Sequence, residues 1–265
     1  MRKFILPVIC FFVMVSVTGG PAWAEGNVLL ADAEPVIIDD VQNYEEFEEE
    51  NPLAIEADVV LVKDPLEAYN RVMFAFNDKF YYYFFKPVYT GYSNVIPEPA
   101  RKSVNKFYTN LTMPIRFFNC LFQGKFQSAG TEMLRFSINS TLGIAGLFDP
   151  AKSRFHLDAQ EEDFGQTLSK CKMGPGTYIV WPFIGPSNVR DTVGLVGDIA
   201  LNPITWITYL YLNPLEGFGI RAFDTVNTGS LEAEDAYEGV TKAALDPYVA
   251  LQDAYVKNRS KKINE

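Results

Sequence analysis

Between Val193 and Ile220, 28 residues carry only two charges, Asp198 and Glu216. Asn202-Pro203 and Asn213-Pro214 cut this stretch into pieces of about 10 residues, because proline removes an amide donor and disfavours helix in the residue before it. No piece reaches the roughly 20 residues that span a bilayer as a helix. Short apolar helices of this kind live either in a buried core or at membrane depth, where neighbouring helices satisfy the broken backbone. Asp198, inside the stretch, needs a donor or a water-filled cavity. Arg190 is a candidate partner, and a helix N-cap at a surface is the alternative.

The N-terminus reads as an export signal. Arg2 and Lys3 precede an uncharged apolar run, Phe4 to Val17, and Ala22-Trp23-Ala24 forms an A-x-A cleavage box. The mature chain is expected to start at Glu25. Cys10 lies inside the apolar run and does not match the cysteine that follows a lipoprotein box, so lipidation is not expected. Export leaves Cys120 and Cys171 in an oxidising compartment, which allows one disulfide; a small buried apolar role is the alternative for each.

Residues 25–62 hold 12 Asp/Glu and no Lys or Arg, whereas residues 63–265 balance 21 against 21. The leader, with its Glu45 to Glu50 block, is expected to be disordered. The neutral remainder lacks the basic stripe that nucleic-acid binding requires. The domain is expected over 63–258, with 259–265 as a basic frayed tail.

Asp64-Pro65 is a strong helix start. Leu66, Tyr69, Met73, Phe76, Phe80 and Phe84 follow at spacings of three and four, one apolar stripe of a helix ending near Lys86-Pro87. Phe80, Tyr81, Tyr82, Tyr83, Phe84 and Phe85 are consecutive aromatics. They cover every face of a helix, which suits burial all round or a membrane interface. Helices are expected over 100–108, 115–122 and 127–142, the last with Met133, Leu134, Ile138 and Leu142 on one side. Gly143 and Gly146 mark a small-residue turn. Gly174-Pro175-Gly176 is a tight turn, and Thr177 to Trp181 favours extended chain, giving a small hairpin that Pro182 and Pro186 confine to an edge. Two further helices are expected over 231–244 and from Asp246-Pro247 onward. The fold class is mainly α: short amphipathic and apolar helices with one small β-hairpin or hairpin-like loop.

The chemical inventory is spare. One histidine, His156, in a polar loop, excludes His-rich metal sites. There is no nucleophile elbow, P-loop or H-E-x-x-H. Glu161-Glu162-Asp163 reads as a solvated loop without calcium-loop spacing. No cofactor or metal is implied.

A series of motifs resembles the MlaA (VacJ) family. It opens with Asp64-Pro65-Leu66-Glu67, Asn70-Arg71, Met73-Phe74 and Phe76-Asn77. It continues with Lys86-Pro87-Val88, Val95-Ile96-Pro97-Glu98-Pro99-Ala100-Arg101, Asn110-Leu111, Gln123-Gly124 and Arg135-Phe136 before Asn139-Ser140-Thr141-Leu142-Gly143. Phe164-Gly165-Gln166-Thr167-Leu168, Gly174-Pro175-Gly176, Tyr178, Pro182-Phe183, Gly185-Pro186-Ser187, Arg190-Asp191 and Asp246-Pro247-Tyr248 complete it. The resemblance covers roughly residues 64–257. It implies a mostly helical ring in the inner leaflet of the outer membrane, with an amphipathic channel for phospholipid. A periplasmic carrier (MlaC-like) takes up the lipid, and in enterobacteria a trimeric porin holds the ring. It further implies a channel-lining ridge at Gly174, Pro175, Gly176, Tyr178, Pro182 and Phe183, with Asp198 on the same path and Gly143 and Gly146 as gating or turn positions. The aromatic run Phe80–Phe85 would face the membrane. A structural or virulence-associated envelope protein without a lipid path is the competing reading.

Overall fold

The computed structural model describes residues 64–265; the expected signal peptide and acidic leader lie outside them. Helix α1 (Glu67–Phe80) opens the domain. The N-cap is Leu66 and not the expected Asp64, two residues earlier; Asp64 still braces this end, accepting from the Leu66 amide at 3.0 Å and from Asn70 Nδ2 at 2.9 Å. The chain does not stop at Pro87. Tyr81–Phe85 form a π-helical turn, and α2 (Lys86–Val95) carries on through Pro87 and Gly91. Widening the turn frees the proline ring from the carbonyl one turn back, which an α-helix cannot do.

Next come α3 (Glu98–Leu111), α4 (Met113–Phe122) and α5 (Phe126–Thr141), then the short α6 (Pro150–Phe155) and α7 (Phe164–Lys170). Strands β1 (Tyr178–Trp181) and β2 (Gly185–Asn188) pair antiparallel, with Tyr178 opposite Asn188 and Trp181 opposite Gly185. The Gly174–Gly176 turn leads into this hairpin, and Pro182-Phe183-Ile184 closes it.

Helices α8 (Val189–Leu201), α9 (Pro203–Tyr211) and α10 (Pro214–Ala233) begin at asparagine caps. Asn202 accepts from the Ile204 amide at 2.9 Å, and Asn213 from Leu215 and Glu216 at 3.1 and 3.0 Å. The Asn-Pro pairs therefore end one helix and start the next, as read from sequence. Among the described residues no single helix is long and apolar enough to cross a membrane; α8 and α9 together meet that test only as a pair bent by 57°. A second π turn (Glu234–Glu238) joins α10 to α11 (Gly239–Thr241), and α12 (Pro247–Asn264) ends the chain.

The elements close a ring. α10 packs on α2 and α3, α3 on α4 and α5, α4 on α7 and α8, α7 on α12, and α12 on β2 and α11. Helix α12 runs to Asn264, so residues 259–265 are not the frayed tail expected from their charge. Arg259 Nε meets Asp191 Oδ2 at 2.7 Å, Nη2 meets Asp163 Oδ1 at 2.7 Å, and Nη1 also pairs with Asp163. Three helices are held by one guanidinium.

Candidate functional site

Ordinary helices bury their apolar face. Here several are turned the other way. On α5 the buried residues are Ala129, Glu132, Arg135 and Asn139, while Met133, Leu134 and Leu142 are exposed. On α1 the buried residue is Asn70, while Leu66, Tyr69 and Phe76 from the apolar stripe lie outside. Helix α8 buries Arg190 and Gly194 and exposes Val189, Val193 and Val196. Only Ile204 of α9 is buried, with Trp206, Tyr209, Leu210 and Tyr211 facing outward. Asn70, Asn119, Asn227 and Glu132 are 0% exposed, whereas Tyr211 is 79% exposed. Isolated exposed apolar residues are unremarkable, but contiguous apolar surface rimming a polar interior marks a partner or lipid surface.

Many of the interior polar groups are joined in connected networks. Asn119 donates to Asp198 Oδ1 at 3.0 Å and accepts from Thr167 Oγ1 at 2.8 Å. Asp198 also accepts from the Phe164 amide, at 3.0 Å, at the N-terminus of α7. Asp198 thus finds donors on α4 and α7, while Arg190 Nε bonds Asp191 Oδ1 at 2.9 Å. Glu162 is buried and receives Gln123 at 2.7 Å and Lys125 at 2.5 Å. Asp163 completes a capping box with Gln166. Glu162 and Asp163 are therefore not the solvated loop expected, although Glu161 stays exposed: Lys125, at the start of α5, and Arg259 of α12 supply the cations that draw them in. Among the described residues no group of acidic, His or Cys side chains is arranged to hold a metal. His156 is an exposed left-handed C-cap of α6.

A second network fills a cleft between α3, α4 and α5. Arg116 Nε meets Glu132 Oε2 at 2.8 Å, Arg135 Nη2 meets Asp149 Oδ2 at 2.9 Å, and Asn139 donates to Asp149 Oδ1 at 2.9 Å. Asn105, Lys106, Thr109 and Asn110 complete its wall, around about 410 Å³ of space including the open mouth. Burial alone would raise the Asp149 carboxyl; the Lys152 amide, Arg135 and Asn139 outweigh it and hold the group below its ordinary range.

The hairpin is fixed by two asparagines from α1. Asn70 accepts from the Val180 amide at 2.8 Å and donates to the Tyr178 carbonyl at 3.2 Å. Asn77 accepts from the Phe183 amide at 2.7 Å and donates to the Trp181 carbonyl at 2.9 Å. Seven residues apart, they lie two turns along one face, and their side chains act as a third strand for β1. The expected ridge residues do not form one surface. Gly174, Pro175 and Gly176 are exposed, with Gly176 at φ +71°. Tyr178 is buried against Tyr248 and Tyr255. Phe183, at φ +65°, lies edge-on to Phe76 and Phe80.

The aromatic run also divides. Tyr83 and Phe84 are exposed, whereas Tyr81 turns inward and donates to Glu238 Oε1 at 3.1 Å, beside Lys86 Nζ at 2.6 Å. The 142–148 turn is tight as read: Ile144, Ala145 and Gly146 all have positive φ. A Cβ on Gly143 would lie 2.5 Å from the Asn139 and Phe148 carbonyls, and one on Gly146 2.5 Å from Asn110 Cβ. The cysteines do not pair. Cys120 is buried on α4 and Cys171 is exposed after α7.

The sequence pattern described as MlaA lipoprotein matches residues 62–262. The chain belongs to the MlaA family. A protein of Rickettsia felis without an assigned function is 34% identical over 233 residues, spanning 87% of this chain and 88% of that one. The Haemophilus influenzae and Escherichia coli proteins named intermembrane phospholipid transport system lipoprotein MlaA are each 31% identical. The former alignment covers 76% of this chain and 80% of that one, the latter 72% and 75%. A chain solved in work on the structural basis for maintenance of bacterial outer membrane lipid asymmetry matches with a TM-score of 0.65 and 28% identity. That match covers 77% of this chain and all of the solved one. MlaA is a transport-system component, and the ring of short helices described above is the MlaA fold.

Sequence reasoning missed Arg259, Glu162, Lys125 and the Arg116–Glu132 pair. The one usable signal was the repeated polar residue on the side of each helix opposite its apolar stripe.

Proposed function

We propose that this protein sits in the inner leaflet of the outer membrane. From there it passes mislocalised phospholipid out of the outer leaflet to a periplasmic MlaC-like carrier, without catalysing a reaction. The observation that supports this best is the inverted polarity of α1, α5 and α8, beside ordinary aromatic clusters around Tyr81 and Tyr178: these helices turn polar or small residues inward and aliphatic or aromatic ones outward. Such a body is stable where hydrocarbon covers its rim, and its interior offers a polar route for a head group. Tyr83, Phe84, Trp206, Tyr209 and Tyr211 are the membrane-facing aromatics in this reading, and the hairpin tip around Phe183 borders the path. Passage from leaflet to carrier needs binding and geometry only.

Relatives in the family are named lipoproteins; in this reading the apolar rim contributes to retention in the membrane, with a trimeric porin as the partner the resemblance implies. The test is phospholipase added to intact cells. A deletion strain should release more outer-leaflet phospholipid product, and the intact gene should reverse it. Unchanged accessibility in the deletion strain would overturn the transport reading in favour of a structural envelope role.

A further inference from the structure

The cleft between α3, α4 and α5 has an uneven charge balance. Lys106, Arg116 and Arg135 line it against only Glu132 and Asp149. The two arginines are committed: Arg116 to Glu132 and the Thr109 carbonyl, Arg135 to Asp149 and the Leu157 carbonyl. Lys106 is not. It is exposed on the cleft wall and, among the described residues, makes no ion pair. A second donor is also spare. Arg135 is 5% exposed, yet its buried Nε has no hydrogen-bond partner, the Glu132 carboxylate oxygen lying 3.8 Å away. Buried donors left in this way are rare and mark a place for an acceptor. Asn105 and Asn110 add amide groups, and Met113 and Phe136 give the cleft an apolar side.

We propose that this cleft holds the phosphodiester of a glycerophospholipid head group, with Lys106 as its anion-binding cation. The proposal deepens the transport reading and rests on it. A phosphodiester carries one negative charge, which matches the one uncompensated cation. A lysine is suited to a ligand that must be released, since it binds phosphate as a point charge without the bidentate lock of arginine. Arg116 and Arg135, tied to buried carboxylates, shape the wall and set the field that Lys106 completes. The same helices carry Phe118, Phe122, Met133 and Leu134 exposed on their other faces, so apolar surface for acyl chains lies beyond the rim.

The test uses the full chain purified in a phosphate-free maltoside detergent and titrated with dihexanoyl-phosphatidylglycerol, dihexanoylglycerol or inorganic phosphate. Lys106→Met and Lys106→Glu should weaken the phospholipid by about tenfold, the worth of one charge-assisted hydrogen bond. Lys106→Arg should restore binding, and the phosphate-free diacylglycerol should be unmoved by any of the three. Because Lys106 is exposed and unpaired, these variants keep the fold. Phospholipid bound equally by wild type and Lys106→Glu overturns the subsite, as does binding of inorganic phosphate with no response to the phospholipid. If the Lys106 variants bind normally while the deletion strain still exposes outer-leaflet phospholipid, the subsite falls and the transport reading stands. If Lys106 controls binding but the deletion leaves accessibility unchanged, the transport reading falls and the phospholipid site remains.

Discussion

Asn77 clasps two successive peptides at the hairpin tip around Phe183: its Oδ1 accepts from the Phe183 amide at 2.7 Å, and its Nδ2 donates to the Trp181 carbonyl at 2.9 Å. Phe183 needs this grip because a non-glycine residue at φ +65° is strained. Asn77→Leu should remove both bonds and leave two backbone groups unmatched, costing ~2 kcal/mol. Asn77→Asp should cost less, since it keeps the bond to the amide. Thermal unfolding in detergent checks the order, and hydrogen exchange at the Phe183 amide checks the place. Equal exchange in the wild type and Asn77→Leu would show that the hairpin tip is held by packing on Phe76 and Phe80 instead.

The two thiols should behave as different reagents. Burial, with Glu162 and Glu132 adding to it, pushes the Cys120 thiol up to about 11, so it is neither accessible nor ionised at neutral pH. Cys171 is exposed. A maleimide at pH 7 should label one thiol per folded mature chain and two after denaturation. Mobility on gels should not change with reductant. A single label that maps to Cys120 would refute the assignment.

Local signals in the sequence led directly to local structure. Asn202-Pro203 and Asn213-Pro214 mark helix boundaries because capping and the missing proline amide act within one turn. The hairpin follows Gly174–Gly176 for the same reason. The facing of each helix was not legible. Periodicity says that Met133, Leu134 and Leu142 share a side; it does not say whether that side meets protein, water or lipid. In this ring the stripe lies outside and Glu132, Arg135 and Asn139 lie inside, the reverse of a water-soluble domain. Partners distant in sequence were equally hidden. Arg259 looks like part of a basic tail until α12 brings it between Asp163 and Asp191. The site fared likewise: the cleft joins residues from 105 to 149 that no contiguous motif groups together.

That clasp makes a pH prediction. Burial would raise the Asp191 carboxyl, but the Arg259 charge and hydrogen bonds from Arg259, Arg190 and Tyr255 outweigh it and hold it below the ordinary range. A depressed carboxyl contributes stability that is present above its unfolded value of about 4 and is lost as pH falls through the folded value. Arg259→Met should destabilise the protein by ~3 kcal/mol at pH 7, because Asp191 and Asp163 lose their shared partner. The gap from wild type should narrow below about pH 4, where protonation removes what Arg259 had stabilised. Unfolding midpoints across pH 3 to 7 supply the check; a gap constant over that range would mean that Arg259 acts through packing of its stem alone.

Glu132 gives the sharpest test of the polar interior. It is fully buried on α5, receives Arg116 at 2.8 Å and the Gln160 amide at 2.8 Å, and lies beside Arg135. Removing one member of a buried pair is far more harmful than replacing both, since the survivor keeps its desolvation cost without its partner. Glu132→Leu should therefore lower stability by ~3 kcal/mol or more. Adding Arg116→Leu should recover part of that loss instead of adding to it, since the orphaned guanidinium is then gone. Thermal unfolding of the two single variants and the double variant in one detergent measures the coupling. If the losses simply add, the pair does not interact as the geometry requires, and the charged interior would have to be held up by its backbone contacts, through Gln160 and Thr109, and not by the ion pair.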